Sequence, residues 1–544
     1  MSNLTFKRNK LISSFMSSKN FSFWIVFLVS FIVYCLTCAR HLSWAHDGAD
    51  GGDLAICAYM LGVPHPTGYP LYCLLGWLFT HIFQFGEVAF RLNIFSAIFA
   101  ALGAGIIALT LKHASEFIFP DAPTSFKTVW IPLVSGFTPA FSYTYWSQAL
   151  IVEVYSLNAF FLTWIIYKIT LLIRTDDQSE KNRHFLHAAL ITGFGFTNHL
   201  SIIYPFVAAL LTLAYLRYVP GWKTFFKGLI FFVLPLLLYI YLPLRSSINP
   251  VMDWGNPENV EGFIWVVLGR QFRWLVFSSL FGQTLFRIYS QINLLKQFGF
   301  PGILTAFIGI AYCLTHWGKK RLAFFIFITL IIVLNFVHIG NYLVIDPLSF
   351  MLPAFTIIAI FTGIGCGYLL ELGKNLDASK KIIAANTRLS LRFAKAVVIF
   401  VPILLFFMNY GKLDLSDDTQ GYDYAVRAFK NAIPGSVICE KYYGRGLTLL
   451  YYYFVEGMGK DKNITPVYIE QLQFWWGKNN FLIRHKNLDI STDFTLRDND
   501  LIAYDFIERN YDKVTAIYFG QMFDPPDGYE WEIADDLYRI VKIE

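Results

Sequence analysis

HLSWAHDGADGGDLAICAYMLGVPHPTGYPLYCLLGWLFTHIFQF, residues 41–85, decides how the chain is read. Helical spacing runs from Asp53 to Leu61, a Pro/Gly break follows, and a second helical pattern runs from Tyr69 to Phe83. If the second piece crossed a bilayer, every later loop would change sides. It is expected to lie in the membrane interface, its Trp and Phe rings at headgroup level. Asp47, Asp50 and Asp53 fall within seven residues of one another in a glycine-rich turn. Asp50 and Asp53 are spaced i, i+3, so a helix starting near Asp50 points both carboxylates to one side of its first turn. Two roles stay open for Asp50: an N-cap satisfying free amides at a helix start, or a proton acceptor.

Composition around this stretch is that of a polytopic membrane protein. Of 544 residues, 56% are hydrophobic, 18% aromatic and only 15% charged, and mean hydropathy is +0.48. Ordinary soluble domains carry about 25% charged residues, so a single soluble globule is excluded. Apolar runs of spanning length are expected near 21–39, 92–112, 128–147, 154–173, 185–198, 199–216, 224–244, 298–316, 322–341, 349–371 and 393–410, eleven spans in all. With the basic N-terminus inside, the inner loops hold 21 Lys and Arg and the outer loops 7. That is the positive-inside pattern, and it fails if 69–83 is counted as a span. Phe21 to Ala39 follows Lys7, Arg8, Lys10 and Lys19 without a small-residue cleavage site, and reads as an uncleaved first span. The positive charge orients the chain and calls for no nucleic-acid partner. Seven unpatterned cysteines suggest neither a disulfide framework nor a zinc site. GIGCG at 363–367 reads as helix packing through small residues.

The charge balance changes after residue 410. Residues 1–410 hold 29 Lys and Arg against 16 Asp and Glu, and residues 411–544 hold 15 against 22. The expected architecture is an all-α polytopic membrane domain, 1–410, with long outer loops at 40–91 and 245–296, then an acidic α/β or α+β soluble domain, 411–544, on the outer side. In that tail, helical spacing covers Tyr422–Ala432 and Leu447–Glu456, and Ser436–Cys439, Pro466–Glu470, Val514–Phe519 and Leu537–Ile543 read as strands.

Nine membrane-domain carboxylates fall on the outer side: Asp47, Asp50, Asp53, Glu87, Glu153, Asp253, Glu258, Glu261 and Asp346. Glu153 opens the fourth span and is either a solvated boundary charge or an ionisable group facing the bundle interior. Asn198 and His199, between two short spans, carry the same ambiguity. His65, His199 and His338 lack metal-ligand spacing and are more simply structural. Arg245 is either a snorkelling anchor or a clamp for an anionic headgroup, since its donor fork suits phosphate. Outward carboxylates, a candidate phosphate-binding Arg, interfacial helices and an outer domain suit an enzyme that takes a sugar from a lipid phosphate at the membrane surface. The rival is a transporter or flippase of a lipid-linked sugar, which more often shows broken midplane helices and internal repeats; neither is visible in this sequence.

The run Asp50-Gly51-Gly52-Asp53-Leu54, with AYMLGVPHPTGYPLYCLLG (58–76) and RLNIFSAIFAAL (91–102), resembles the transmembrane-protein-260-like, protein O-mannosyltransferase-like family, also known as domain of unknown function 2723, within the GT-C glycosyltransferases. The likeness continues through WSQALIVEVYSLNAF (146–160), FGFTNHL (194–200), YLPLRSSINPVMDWGNPENVEGFIWVVLGRQF (241–272) and, more loosely, Asp346-Pro347. Asp53 stands where the family carries Glu, and Thr67 where it carries the second Pro of a His-Pro-Pro-Gly turn. The resemblance implies a GT-C fold with about eleven transmembrane helices and an inverting transfer of a sugar, typically mannose, from a polyprenyl-phosphate donor to a Ser/Thr hydroxyl of a secreted or membrane protein. A lipid or glycan acceptor is the alternative. It implies Asp50 as base, with Asp53 orienting it or the acceptor, Glu153 near the site and Arg245 on the donor phosphate; His65, Asn198 and His199 join them as substrate-binding candidates. No cofactor and no divalent metal is expected. The expected location is a bacterial inner membrane with the N-terminus cytoplasmic and the tail periplasmic; the endoplasmic reticulum membrane is the alternative.

Overall fold

Apolar runs become helices throughout the computed structural model, which describes residues 20–276, 294–344, 346–378, 387–493 and 497–544. Seven helices among the described residues are long and apolar enough to cross a membrane: Val88–Ile118, Tyr155–Arg174, Trp222–Ser246, Leu294–Thr315, Lys319–Gly340, Leu352–Asn375 and Leu391–Leu413. The protein is a multi-pass membrane protein of mostly helical fold. The remaining expected spans fall short of that length and composition for visible reasons. Phe21–Thr37 has 17 residues. The 128–147 run breaks after Pro139, giving Ile131–Ala140 and a separate Tyr143–Gln148 helix. Gln178–Phe196 begins with the charged stretch QSEKNRH, and Leu200–Tyr215 is a shorter apolar helix.

Small residues set the closest helix contacts. A Cβ on Gly309 would lie 2.1 Å from the Phe361 carbonyl oxygen, and one on Gly365 would lie 1.8 Å from that of Thr305. The GIGCG segment therefore lets Leu352–Ala378 lie directly against Leu294–Thr315, as small-residue packing predicts.

The first outer loop folds as two short helices, Gly51–Met60 and Pro70–Ile82. The second leaves Trp77, Leu78 and Ile82 exposed, the apolar face an interfacial helix needs. The outer loop after residue 245 returns to the first: Val63 N–H donates to Met252 O at 2.8 Å and Trp254 N–H to Val63 O at 3.1 Å. The stretch 277–293 of that loop lies outside the described residues.

The tail forms a five-stranded sheet from β1 (Val437–Glu440), β2 (Thr465–Tyr468), β3 (Ile517–Phe519), β4 (Tyr529–Ala534) and β5 (Leu537–Lys542), ordered β2-β1-β3-β5-β4. The first three strands are parallel, with Val437 opposite both Thr465 and Ile517; β5 and β4 add antiparallel. The helix Tyr443–Phe454 makes the β1-to-β2 crossover, beginning four residues earlier than its sequence pattern. One side of the tail has its own core, including Val467, Phe506 and Ile517. Its other side continues the membrane core through Leu447, Tyr451 and Tyr452. The seam is polar as well: Ala89 N–H donates to Tyr451 Oη at 2.9 Å, Trp44 Nε1–H to Thr448 Oγ1 at 2.8 Å and Asn480 Nδ2–H to Asp253 O at 3.0 Å. Gly52 is required here, because a Cβ would stand 2.6 Å from the Leu447 carbonyl oxygen.

Candidate active site

A cleft of about 860 Å³ lies between the first outer loop, the tail and the outer ends of the membrane helices. Its membrane side is apolar, with Ile203, Val207, Phe272, Val276, Leu334 and Val337. Its inner end carries Asp50, His65, Tyr155, His199 and Asp346, and the tail closes it with Tyr443, Tyr468 and Glu470.

Asp50 and Asp53 have different fates despite their spacing. Asp50 precedes the Gly51–Met60 helix but makes no side-chain capping hydrogen bond. Its carboxylate lines the cleft instead, receiving a hydrogen bond from the Tyr443 hydroxyl and standing 3.7 Å from His65 Nε2. Asp53 is fully buried and is not part of the cleft wall. Its Oδ2 accepts from the backbone N–H of His65 at 2.9 Å and from His65 Nδ1 at 2.7 Å, while Oδ1 accepts from Trp254 Nε1–H at 3.0 Å. Asp53 thus holds His65 in place from behind the cleft wall.

His65 sits between the two carboxylates. Burial alone would lower its pKa, but Asp50 and Asp53 overcome that and raise it to about 9. The hydrogen bonds fit an imidazolium: Nδ1–H goes to Asp53, and the Tyr69 hydroxyl donates to Pro66 O at 3.1 Å, leaving its oxygen to accept from His65 Nε2–H at 3.1 Å. The cleft therefore presents a fixed cation next to a carboxylate. Opposite them, burial and then the Asp50 charge raise Asp346 to about 8, so that it is protonated at neutral pH, 3.5 Å from the Tyr155 hydroxyl. His199 also lines the cleft; its Nδ1 accepts from Ser201 N–H at 3.1 Å, and burial followed by the neighbouring histidines lowers it to about 4.

The other sequence candidates lie elsewhere. Arg245 does not line the cleft. Its Nε–H donates to Leu61 O at 2.6 Å and its Nη2–H to Met60 O at 3.3 Å, so the guanidinium caps the carbonyl end of the Gly51–Met60 helix. Glu153 is buried behind the cleft, accepting from Val154 N–H at 3.2 Å, and burial with Asp50 and Asp346 raises its pKa. Asn198 Nδ2–H donates to Val154 O at 3.3 Å, also behind the wall. Among the described residues no three His, Cys, Asp or Glu side chains group as a metal site. Arg273, in the long outer loop after residue 245 and not among the sequence candidates, lines the cleft. Tyr443 was hidden because Gly444 and Gly446 weaken the helical pattern just after it; a strand-like run followed by a glycine-rich helix start is the signal that could have found it.

Residues 50–221 match the family model described as Protein O-mannosyl-transferase TMEM260 N-terminal domain. A protein O-mannosyl-transferase tmem260 from Dictyostelium discoideum is 25% identical over 438 residues, 74% of this chain and 51% of that protein. Protein O-mannosyl-transferase TMEM260 from Mus musculus is 27% identical over 242 residues, 43% of this chain and 31% of that protein. The chain thus spans about half the length, or less, of these relatives. ArnT from Cupriavidus metallidurans bound to undecaprenyl phosphate superposes with a TM-score of 0.52 at 12% identity, covering 86% of this chain and 95% of ArnT. The apo state of ArnT gives 0.51. By its match over residues 50–221 and by its architecture, the chain is similar to the TMEM260 protein O-mannosyl-transferases and has the GT-C fold.

Proposed function

We propose that the cleft transfers a sugar, mannose, from a polyprenyl-phosphate donor to a Ser/Thr hydroxyl of a protein on the outer face of the membrane, with inversion at the anomeric carbon. The observation that carries this reading is Asp50: a carboxylate lining the cleft, oriented by Tyr443 and adjacent to a buried cation. The acceptor oxygen attacks the anomeric carbon and its proton passes to the Asp50 carboxylate. The bond from that carbon to the phosphate oxygen breaks, and the electron pair leaves with polyprenyl phosphate. The His65 imidazolium stabilises the extra negative charge on the departing phosphate. One base and one displacement invert the configuration.

The names of the relatives support the sugar and the protein acceptor, and the undecaprenyl phosphate in ArnT supports the lipid donor. The apolar membrane side of the cleft suits an isoprenoid chain. Both relatives are eukaryotic, which favours the endoplasmic reticulum membrane over a bacterial inner membrane, with the tail lumenal. In this reading 1–410 is the transferase domain and 411–544 a lumenal domain that completes its site, and no metal takes part. The test is transfer by the purified protein from polyprenyl-phosphate mannose to a Ser/Thr peptide, with and without chelator. Transfer indifferent to chelator supports the proposal. Transfer to lipid or glycan but not to peptide overturns the protein acceptor, and chelator-sensitive transfer overturns the metal-free step.

A further inference from the structure

The tail does more than cover the cleft. Its two contributions, Tyr443 and the segment Tyr468–Phe474, lie at or just beyond the carboxyl ends of the parallel strands β1 and β2. Ligands of open α/β sheets bind at that edge, because the loops there vary freely while the strands hold them in place. Here the edge faces Asp50.

The chemistry of this wall differs from the rest of the cleft. Tyr443, Tyr468, Glu470, Gln471 and Phe474 bring rings, one carboxylate and one amide, and no cation. A lipid chain is better served by the apolar side, and a phosphate would meet the Glu470 carboxylate without a compensating charge. A monosaccharide fits: its hydroxyls both donate and accept, and its C–H faces lie against aromatic rings. The rings stand around Asp50 as a corner, Tyr443 being 6.5 Å from Trp254 at 61° and 6.1 Å from Tyr468 at 74°. Glu470 Oε2 accepts from the Tyr468 hydroxyl at 2.6 Å, which fixes the carboxylate and leaves most of its acceptor capacity.

Resting on the proposed sugar transfer, we infer that the β1/β2 edge of the tail is the donor-sugar subsite, with Glu470 and Gln471 reading the sugar's hydroxyls and the Trp254, Tyr443 and Tyr468 rings holding its faces. A site that hydrogen-bonds a substrate hydroxyl discriminates strongly against sugars lacking it in that position, since its buried polar groups are then left unpaired.

The experiment compares wild type with Glu470→Gln and Gln471→Ala, using polyprenyl-phosphate mannose, glucose and galactose, and varying donor and acceptor separately. Glu470→Gln keeps shape and volume, and a thermal melt of each variant separates loss of fold from loss of recognition. The expected result is a donor KM raised by roughly tenfold or more and a flattened preference among the three sugars, with acceptor KM unchanged. Unchanged sugar preference with a raised acceptor KM overturns the inference in favour of an acceptor subsite, and unchanged values for both overturn it outright. Failure of the wild type to transfer any of the three sugars overturns the transfer reading itself, a distinct outcome from an active wild type with indifferent variants.

Discussion

The two polar walls of the cleft are built differently. The first-loop wall is a locked network: Asp53 grips His65 at two points and Trp254 at a third, His65 faces Asp50, and none of these groups can turn without breaking a buried hydrogen bond. The tail wall rests on single attachments, one Tyr443 hydroxyl on Asp50 and one Tyr468 hydroxyl on Glu470, at the ends of short strands. Fixed charges that must not relax during a reaction belong on the first kind of wall. Groups that select among substrates can sit on the second.

Breaking the first wall should cost most. Asp53→Asn leaves the His65 cation buried with a weakened partner, and unfolding free energy should fall by about 3–5 kcal/mol in chemical denaturation. The sign of its pH dependence is set by His65, whose folded pKa lies above the usual histidine value of about 6.5. The stabilisation is fully present below that value and lost as pH rises through about 9, so wild type and variant should converge at high pH. A cost independent of pH would mean that His65 is neutral.

Tyr443→Phe removes one hydrogen bond to a charged group from the second wall. It should lower kcat about thirtyfold, or about 2 kcal/mol, with little change in melting temperature. An effect on stability alone would reduce the tail to a cover.

Arg245→Ala touches neither wall. It should cost about 1.5 kcal/mol of stability, through the uncapped Leu61 and Met60 carbonyls, and leave donor KM unchanged. A large rise in donor KM would restore Arg245 as the phosphate clamp.

Asp346→Asn should have the smallest effect on stability below about pH 4, under about 0.5 kcal/mol, because an amide there replaces a carboxyl that is neutral in both the folded and the unfolded chain. Its carboxyl is held at about 8 in the fold against about 3.9 in the unfolded chain. The wild type therefore loses stability as pH rises between those values, and the variant should lack that slope in unfolding titrations.

The sequence carried the first wall well and the second hardly at all. Helical spacing and the Pro/Gly break place the two short helices of the first loop, and of the aspartates clustered in its turn Asp50 lines the cleft. Spacing could not separate Asp50 from Asp53, because i, i+3 puts both on one side of a turn while burial decides which one faces the cleft. Arg245 was misleading for a related reason: a basic residue at a span end satisfies three roles, and only the proximity of the Gly51–Met60 carbonyl end selects capping. The second wall depends on contacts across about 390 positions of sequence, between Asp50 and Tyr443, which no local pattern encodes. The parallel strands were legible as β-rich runs, but their order, which brings the β1 and β2 ends onto the membrane domain, was not.

In the proposed transfer Asp50 is the proton acceptor of a cleft that remains assembled without it. The most direct measurement is single-turnover transfer from polyprenyl-phosphate mannose by wild type and Asp50→Asn, alongside donor binding by each. Binding is expected to be retained within a few-fold while transfer falls by about 10²–10⁴. Transfer near the wild-type rate in Asp50→Asn would contradict that role.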